Sequence, residues 1–336
     1  MKYKDFRWML VLPPIGFARA QGLAIVKAFQ QELTDGVQVF DTQEVLHKAH
    51  TSLRSDEEPS AMDWMNQRMV VAALEWKISH ILCLSLAPLD PHYLQVLRGQ
   101  GLYTVHWLYE DHHLADYWSR VMGGYNLFCC NQHGAVQREC EQRDVQYHFL
   151  PLAAQIPING AGTLWHARSL DLAFVGSPSP YRIQVLETLA ASGLTLGIQG
   201  PGWEDHKGFL SRYIFRGNMD GVAAELELYR QARMAIHLSY GKPAADGEDR
   251  PVSPRVWDSI ALGAYPMLER LPCNAASLDG LTYHEHQSPT ELLALCIGLR
   301  QNGIDTETSI QNQQVVQRFH TLNHRVRELF DVVEGN

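Results

Sequence analysis

Residues 174–182 have the sequence Phe-Val-Gly-Ser-Pro-Ser-Pro-Tyr-Arg, an apolar strand followed by a tight turn and the start of a helix. Gly176 and Ser177 end the strand, prolines stiffen the loop, and the helix is predicted to begin near Tyr181. Such a turn aims backbone N–H groups and the Ser177 hydroxyl at an anion, to which Arg182 adds a charge-assisted fork. The plain alternative is a proline-rich turn with a solvated arginine.

The same alternation of strand and helix extends in both directions and predicts parallel sheets covered by helices. The predicted strands are 8–12, 37–40, 81–84, 103–108, 127–130, 147–150, 172–175, 194–198, 234–238 and 265–268. The predicted helices are 18–33, 61–77, 91–98, 135–143, 182–191, 223–232, 255–262, 289–302 and 311–333. We therefore predict an α/β protein with domains over 1–160 and 168–312, facing across a cleft, and a closing C-terminal helix over 313–336.

Composition limits the classes of protein that this chain can belong to. Its 336 residues suffice for two domains, and 46% apolar with 19% charged residues excludes a disordered chain or a coiled coil. A net charge of −9 predicts no general binding of nucleic acid or of anionic membranes. The apolar runs are too short to span a bilayer, and the six cysteines form no Cys-x-x-Cys pair. We expect a cytoplasmic protein with reduced thiols.

A second turn of interest precedes the predicted helix 255–262. Ser253 is the predicted N-cap, and Pro254 occupies the first helical position. The helix dipole and Arg255 together favour a bound diphosphate, and Asp258 lies one turn further on, where it can accept hydrogen bonds from ribose hydroxyls. A carboxylate near a helix start also stabilises the helix, so a purely structural role for Asp258 stays open.

Two further loops complete the candidate ligand-binding residues. Gly200-Pro-Gly-Trp203 follows a predicted strand, and its indole is expected to stack on a base unless Trp203 is a packed loop side chain. In the first domain, Gly16 opens a helix and allows a close backbone approach to a ligand. We assign Gly16 and Arg19 to the acceptor side, and the alternative is a plain tight turn.

Candidates for proton transfer follow the predicted strand 103–108. Glu110, Asp111 and His112 come directly after it, so we expect them at the carboxyl edge of the sheet. A carboxylate or imidazole placed there takes a proton from an attacking hydroxyl, and the three assignments stay open. His112 and His113 are adjacent, diverge and lack a third ligand, so we predict no metal site.

Four segments together resemble, in order and spacing, the CgeB-like (spore maturation type) glycosyltransferases. They are Thr104-Val-His-Trp-Leu-Tyr-Glu-Asp-His112, His148-Phe-Leu-Pro-Leu-Ala-Ala154, Phe174 to Arg182 with Gly200-Pro-Gly-Trp203, and Ser253-Pro-Arg-Val-Trp-Asp-Ser-Ile-Ala-Leu-Gly263. The resemblance covers roughly residues 80–330. It implies a GT-B fold, in which two Rossmann-like domains bind the acceptor and a nucleotide-diphosphate sugar respectively.

The resemblance implies transfer of a sugar from a UDP-sugar or similar donor, without a cofactor or catalytic metal, to a protein, polysaccharide or small molecule. Diphosphate would lie near Gly176, Ser177 and Arg255, and Asp258 would hold the ribose. The chain departs from the family at Asp258, where glutamate is usual, and at Leu262, where cysteine is usual.

Several questions stay open at this point. Asp111 leads the candidates for the base of an inverting enzyme, whereas a retaining enzyme needs no base in that place. The same fold also suits a non-catalytic nucleotide-sugar-binding or structural protein, or a nucleotide-sugar epimerase. We expect the C-terminal helix either to brace the two domains or to form a homodimer contact.

Overall fold

The computed structural model describes residues 6–33, 35–52, 59–112, 116–155, 165–215, 222–241 and 250–335. The chain divides into two compact units, of which the first is Met1–Leu152 with Leu322–Asn336 and the second is Ala153–Thr321. His113 and most of both the predicted linker 155–168 and the polar loop 241–250 lie outside the described residues.

The first unit is a parallel sheet with helices on it. Its strands are β1 (Trp8–Leu12), β2 (Val37–Asp41), β3 (His80–Leu84), β4 (Tyr103–Leu108), β5 (Leu127–Cys130) and β6 (Gln146–Phe149). Its helices, up to the end of β6, are α1 (Gly16–Glu32), α2 (Thr42–Ser52), α3 (Ala61–Glu75), α4 (Pro91–Gly99), α5 (Tyr117–Val121) and α6 (Ala135–Gln142). The strand order is β2-β1-β3-β4-β5-β6, so the winding reverses between β1 and β3.

The second unit repeats this architecture on a smaller scale. Its strands are β7 (Leu170–Val175), β8 (Leu196–Gln199), β9 (Ala232–His237), β10 (Tyr265–Glu269) and β11 (His284–His286). Its helices are α7 (Pro180–Ala191), α8 (Val222–Gln231), α9 (Arg255–Ala261), α10 (Asn274–Ser277), α11 (Pro289–Asn302) and α12 (Thr306–Phe319). The parallel order β11-β10-β9-β7-β8 places the reversal between β7 and β9.

The predicted strands and most predicted helices are confirmed, and most of the strands are buried apolar runs. The fully buried run of β1 is one example. Strand β11 was not predicted, because its His-Glu-His sequence has no apolar run. Asp90 caps α4 as predicted, since its side chain accepts the His92 N–H. Helix α2 was not predicted, because only Thr42 and Ala49 of its residues are buried and it has no apolar stripe to reveal it.

The predicted single helix over 311–333 is wrong, because α12 ends at Phe319 and a separate helix, α13 (Leu322–Glu334), follows. Between them, Ala154 pairs with Thr321, and the Ala154 N–H donates to the His320 carbonyl at 2.9 Å. The His320 ring stacks on Trp257 with 4.6 Å between ring centroids. These contacts hold the two linking residues outside helical geometry, and the C-terminal segment therefore divides between the two units.

Helix α13 belongs to the first unit and packs on α1. The Phe330 ring lies 5.7 Å from the Trp8 ring and 5.2 Å from the Phe29 ring, between centroids. Arg327 donates to both carboxylate oxygens of Glu32 at 2.8 Å. The end of the chain thus covers the first strand and the first helix.

Candidate functional site

Loops at the carboxyl edge of the second unit's sheet bring together several residues predicted from the sequence. Gly176 and Ser177 follow β7, and Gly200 follows β8. Because these strands are parallel to each other and to β9, the loops lie at one edge. The reversal between β7 and β9 is the position at which open α/β sheets form ligand-binding crevices.

Gly200 is required by the close approach of its loop to the loop that contains Gly176. A Cβ on Gly200 would lie 2.6 Å from the Gly176 carbonyl oxygen, and its φ of +136° also favours glycine. The Gly176 N–H donates to the carbonyl of Gln199 at 2.9 Å. Packing of the two loops therefore accounts for Gly200, whereas a Cβ on Gly176 would lie 3.1 Å from the side chains of Arg182 and Phe174. Contact of either glycine with phosphate stays a prediction.

Trp203 presents no free face to a base. Its side chain is buried, and the indole Nε1 donates to the Gly176 carbonyl at 2.7 Å. The ring lies edge-on to Phe174, with 6.5 Å between centroids. The prediction of base stacking is wrong for this structure, and the alternative of a packed loop tryptophan is confirmed. Trp203 instead joins the loop after β8 to the loop after β7.

Arg182 bridges the two strands on either side of the reversal. Its Nη1 donates to the Ser177 carbonyl at 2.9 Å, on the β7 side. Its Nη2 and Nε donate to the carbonyls of Leu238 and Ser239, at 2.7 and 3.0 Å, on the β9 side. Three of the five guanidinium N–H groups therefore bind backbone oxygens, and the side chain ties the two loops together.

The surroundings of Arg182 are mostly apolar. The rings of Phe174 and Tyr240 each have their centroid 5.4 Å from the guanidinium carbon. Burial, and then the charge of Arg255, lower the pKa of Arg182 to about 10. The group is still charged at neutral pH, so a positive potential persists at this edge of the sheet.

Glu269, the last residue of β10, was missed by sequence reasoning. Its buried carboxylate accepts the Tyr181 hydroxyl at 2.5 Å and the Ser239 N–H at 2.6 Å. Burial and the charge of Glu269 raise the pKa of Tyr181 well above its usual value, so this hydroxyl remains a donor. The available signal was a charged residue ending the apolar strand Tyr-Pro-Met-Leu-Glu, since unpaired carboxylates are rarely buried.

The predicted N-cap at Ser253 is wrong. Helix α9 begins at Arg255, Pro254 occupies the cap position, and no side chain caps the helix. The Ser253 carbonyl instead accepts the Val256 N–H at 3.0 Å, so the helix begins with a tight turn that uses the backbone of Ser253. Arg255 lies 3.4 Å from Glu225, measured from Nε to Oε2, and this ion pair is only partly exposed.

Asp258 joins α9 to the start of the second unit. The side chain is buried, and its Oδ1 accepts the Gln155 N–H at 2.9 Å. This contact supplies the structural role that the sequence left open. Binding of a ribose by Asp258 stays a prediction.

In the first unit, Asp111 and His112 lie together beside Gln132, at the carboxyl edge of β4. Gln132 Oε1 accepts the His112 N–H at 2.9 Å, and Gln132 Nε2 donates to Asp111 Oδ1 at 3.3 Å. His112 Nδ1 is 4.0 Å from Asp111 Oδ1, and Trp118 Nε1 donates to the His112 carbonyl at 3.3 Å. Gln132, which the sequence did not indicate, thus orients the Asp111 carboxylate, whereas the half-buried Glu110 keeps its role as an untested alternative.

Gly16 and Arg19 differ in their surroundings, since Gly16 faces open space whereas Arg19 is hydrogen-bonded to neighbouring residues. Gly16 has a φ of +73°, and a Cβ there would meet nothing within 4 Å, so its backbone faces open space. Arg19 makes a two-point pair with Asp41 at 2.9 and 2.6 Å and also donates to the Pro13 carbonyl at 3.3 Å. Arg19 therefore ties the loop after β1 to the end of β2, and its acceptor-side role stays a prediction.

Within the described ranges, no three His, Cys, Asp or Glu side chains lie close enough together to hold a metal ion. Among the helices so described, none combines the length and the apolar character needed to cross a membrane. The six cysteines are buried and form no disulfide.

Solved structures that are similar to this chain include several glycosyltransferases. HepE of Anabaena in complex with UDP matches with a TM-score of 0.67 and 14% identity, over 98% of this chain and 100% of that one. A glycosyltransferase of Rickettsia africae matches with a TM-score of 0.66 and 11% identity, over 99% of both chains. The lipopolysaccharide outer core galactosyltransferase WaaB matches with a TM-score of 0.64 and 9% identity, over 98% of this chain and 100% of that one.

No protein-family model and no curated protein matches the sequence. The likeness to solved structures extends over nearly the whole length of each chain, and both sheets are parallel and wound as in Rossmann folds. The predicted GT-B fold of two Rossmann-like domains is confirmed.

Proposed function

We propose that this chain is a glycosyltransferase that takes a sugar from a nucleotide-diphosphate donor of the UDP-sugar type. The observation that carries the proposal is the full-length GT-B likeness to HepE, which has been solved with UDP and with UDP-glucose. The outer core galactosyltransferase WaaB shares the same fold. Within the glycosyltransferases, the sequence motifs favour the CgeB-like family and a reaction that needs no metal or other cofactor.

The carboxyl edge of the second unit supports a donor site. Arg182 ties the loop after β9 to the loop after β7, and the Glu269 carboxylate ties the loop after β9 to the end of β10. Preorganised backbone N–H groups and a nearby cation stabilise the charge that develops on a departing diphosphate. We propose Ser177 and Arg255 for this role, next to Gly176, whose own N–H already donates to the Gln199 carbonyl and whose place near the diphosphate rests on close backbone approach.

The first unit supports the acceptor side of the reaction. Asp111 is our proposed base, because Gln132 orients its carboxylate and His112 lies beside it. A base in this place removes the proton of the attacking hydroxyl in an inverting transfer. For the sugar acceptor we propose a protein, a glycan or a small molecule.

Calorimetry with UDP, GDP, dTDP, ADP and CDP, first in EDTA and then with Mg²⁺, tests the donor site. We expect one diphosphate to bind selectively without metal. Arg255→Ala should weaken that binding about tenfold, the value of one charge-assisted hydrogen bond. The matched control is Arg212→Ala, because Arg212 is an exposed arginine of the same unit that stacks on Phe209.

If Arg255→Ala and Arg212→Ala bind the diphosphate with equal affinity, the assignment of Arg255 to the donor site is wrong. Absence of binding to every diphosphate by the folded wild-type chain would refute the proposed function. It would favour a non-catalytic protein with the same fold.

A further inference from the structure

A cavity of about 510 Å³ opens in the first unit beside α3, α4 and α5. Its lining includes the loop that follows β3, so it lies at the carboxyl edge of the sheet. The lining is mainly apolar and includes Met62, Leu86 and Val121. Met62 and Leu86 are each 42% exposed, although they are large apolar side chains. The volume falls in the range of about 300–1,000 Å³ that is usual for small-molecule sites.

The backbone at Leu86 is strained in a way that keeps this side chain at the cavity. Its φ is +62°, in the left-handed region that leucine rarely adopts. The Leu86 N–H donates to the Tyr117 hydroxyl at 2.8 Å, and that hydroxyl lies 3.1 Å from Nε2 of the buried His106. Strain that is held by buried partners while the side chain stays exposed is a mark of functional sites.

Helix α5 connects the cavity with the proposed base. Tyr117 lines the cavity, and the next residue, Trp118, donates its indole N–H to the His112 carbonyl at 3.3 Å. Asp111 and His112 belong to the loop just before this helix. A molecule seated in the cavity therefore contacts the same helix that holds the proton-transfer residues in place.

The two carboxylates at the cavity both lie at helix N-termini. Asp63 lies in the first turn of α3 and accepts the Ser60 hydroxyl at 2.8 Å. Asp90 caps α4. Each helix end carries partial positive charge that offsets its carboxylate.

The exposed guanidinium of Arg120 also lines the cavity. Among the described residues, Arg120 has no hydrogen-bond or ion-pair partner. Its guanidinium therefore carries a positive charge beside an apolar cavity without an ion-pair partner in the described part of the chain.

We propose that this cavity binds a small amphiphilic anion, with an aryl or acyl body against Leu86 and Met62 and an anionic group against Arg120. That this molecule is the sugar acceptor rests on the proposed function. Of the three acceptor classes, the cavity then favours a small molecule with an apolar body.

Two fluorescent probes that differ by one sulfonate group test the cavity on the full chain. They are 1-anilinonaphthalene-8-sulfonate and its uncharged parent, N-phenyl-1-naphthylamine. Leu86→Asn keeps the left-handed backbone, which asparagine tolerates, but removes the apolar contact. It should weaken both probes about fivefold, in line with partial loss of one leucine contact. Arg120→Gln should weaken only the sulfonate, by a similar factor.

Leu74→Asn is the matched control, because Leu74 is 48% exposed on α3 but does not line the cavity. Thermal unfolding checks that each variant is folded. Leu86→Gly, which relieves the strained backbone, replaces Leu86→Asn if the latter does not fold.

Wild-type probe affinity in the Leu86 variant, or an equal loss in the Leu74 control, would overturn the cavity site. Equal losses of both probes in the Arg120 variant would overturn the anionic part.

UDP calorimetry on the same variants separates the two proposals. We expect UDP binding to be unchanged in all of them. If UDP binds and both probes bind the Leu86 variant with wild-type affinity, the cavity does not bind an amphiphilic anion and the proposed function stands. If UDP does not bind even to the wild type, the proposed function fails, and the probe titrations still decide whether the cavity binds an amphiphilic anion.

Discussion

Replacing Arg182 by methionine is expected to destabilise the second unit by about 3 kcal/mol. The variant loses three charge-assisted hydrogen bonds to backbone carbonyls, which together contribute about 6 kcal/mol. Burial lowers the pKa of the arginine to about 10. Burial and the charge of Arg255 together thus disfavour the charged guanidinium by roughly 3 kcal/mol, a penalty that the methionine side chain does not have. The difference between these opposing contributions is the expected loss of stability.

Differential scanning calorimetry measures this loss. For a unit of this size, a loss of about 3 kcal/mol lowers the Tm by roughly 6–12 °C. Arg182→Lys keeps the charge but not the planar fork, so it should lie between the wild type and the methionine variant. The matched control is Arg212→Met, which removes an exposed arginine and should change stability by less than about 0.5 kcal/mol. A Tm for Arg182→Met that equals the control's would refute the tie between the two loops.

Three other outcomes are expected. Gly200→Ala should destabilise the chain by about 2 kcal/mol in urea unfolding, since the new Cβ would clash with a carbonyl 2.6 Å away. Gly298→Ala, in a helix with open space around it, should instead stabilise by up to about 1 kcal/mol, and equal effects would contradict the clash. Burial lowers the pKa values of His106 and His237 to about 3, so only the unfolded chain binds their protons as pH falls from 6.5. The free energy of unfolding from urea titrations should therefore fall between pH 6.5 and 4, by up to about 1.4 kcal/mol per pH unit for each histidine, and a pH-independent free energy would contradict this. Asp111→Asn should slow sugar transfer about 10²- to 10⁴-fold in a product assay with UDP binding intact, whereas unchanged transfer would remove Asp111 as the base.

Most strands were predictable because each is a short apolar run, and the apolar character of such a run is a property of its own residues, whereas β11 (His-Glu-His) has no such run and was missed. The helices with caps such as Asp90 were predictable for a similar local reason. Helix α2 was missed because it buries few side chains. The break near His320 was missed because its cause is a distant strand-like contact with Ala154.

The candidate site was predictable only in part. The glycines of the loops after β7 and β8 were found, because a strand followed by glycine is a local pattern. Trp203 was assigned to a base, but the structure uses its indole N–H to bind the neighbouring loop. Ser253 has the residue type of an N-cap, but the backbone turn begins the helix without its side chain.

The sequence by itself determined two parallel α/β units, all of their described strands except β11, and the edge of each sheet at which polar and glycine residues gather. Periodicity and turn chemistry act over a few residues, so they can be evaluated without the fold. Only the tertiary structure decided that Arg182 binds the Ser239 carbonyl, 57 positions away, and that Glu269 accepts the hydroxyl of Tyr181, 88 positions away. The partner of a buried charge depends on which strands become neighbours, and this sheet places β9 beside β7 and β10 beside β9.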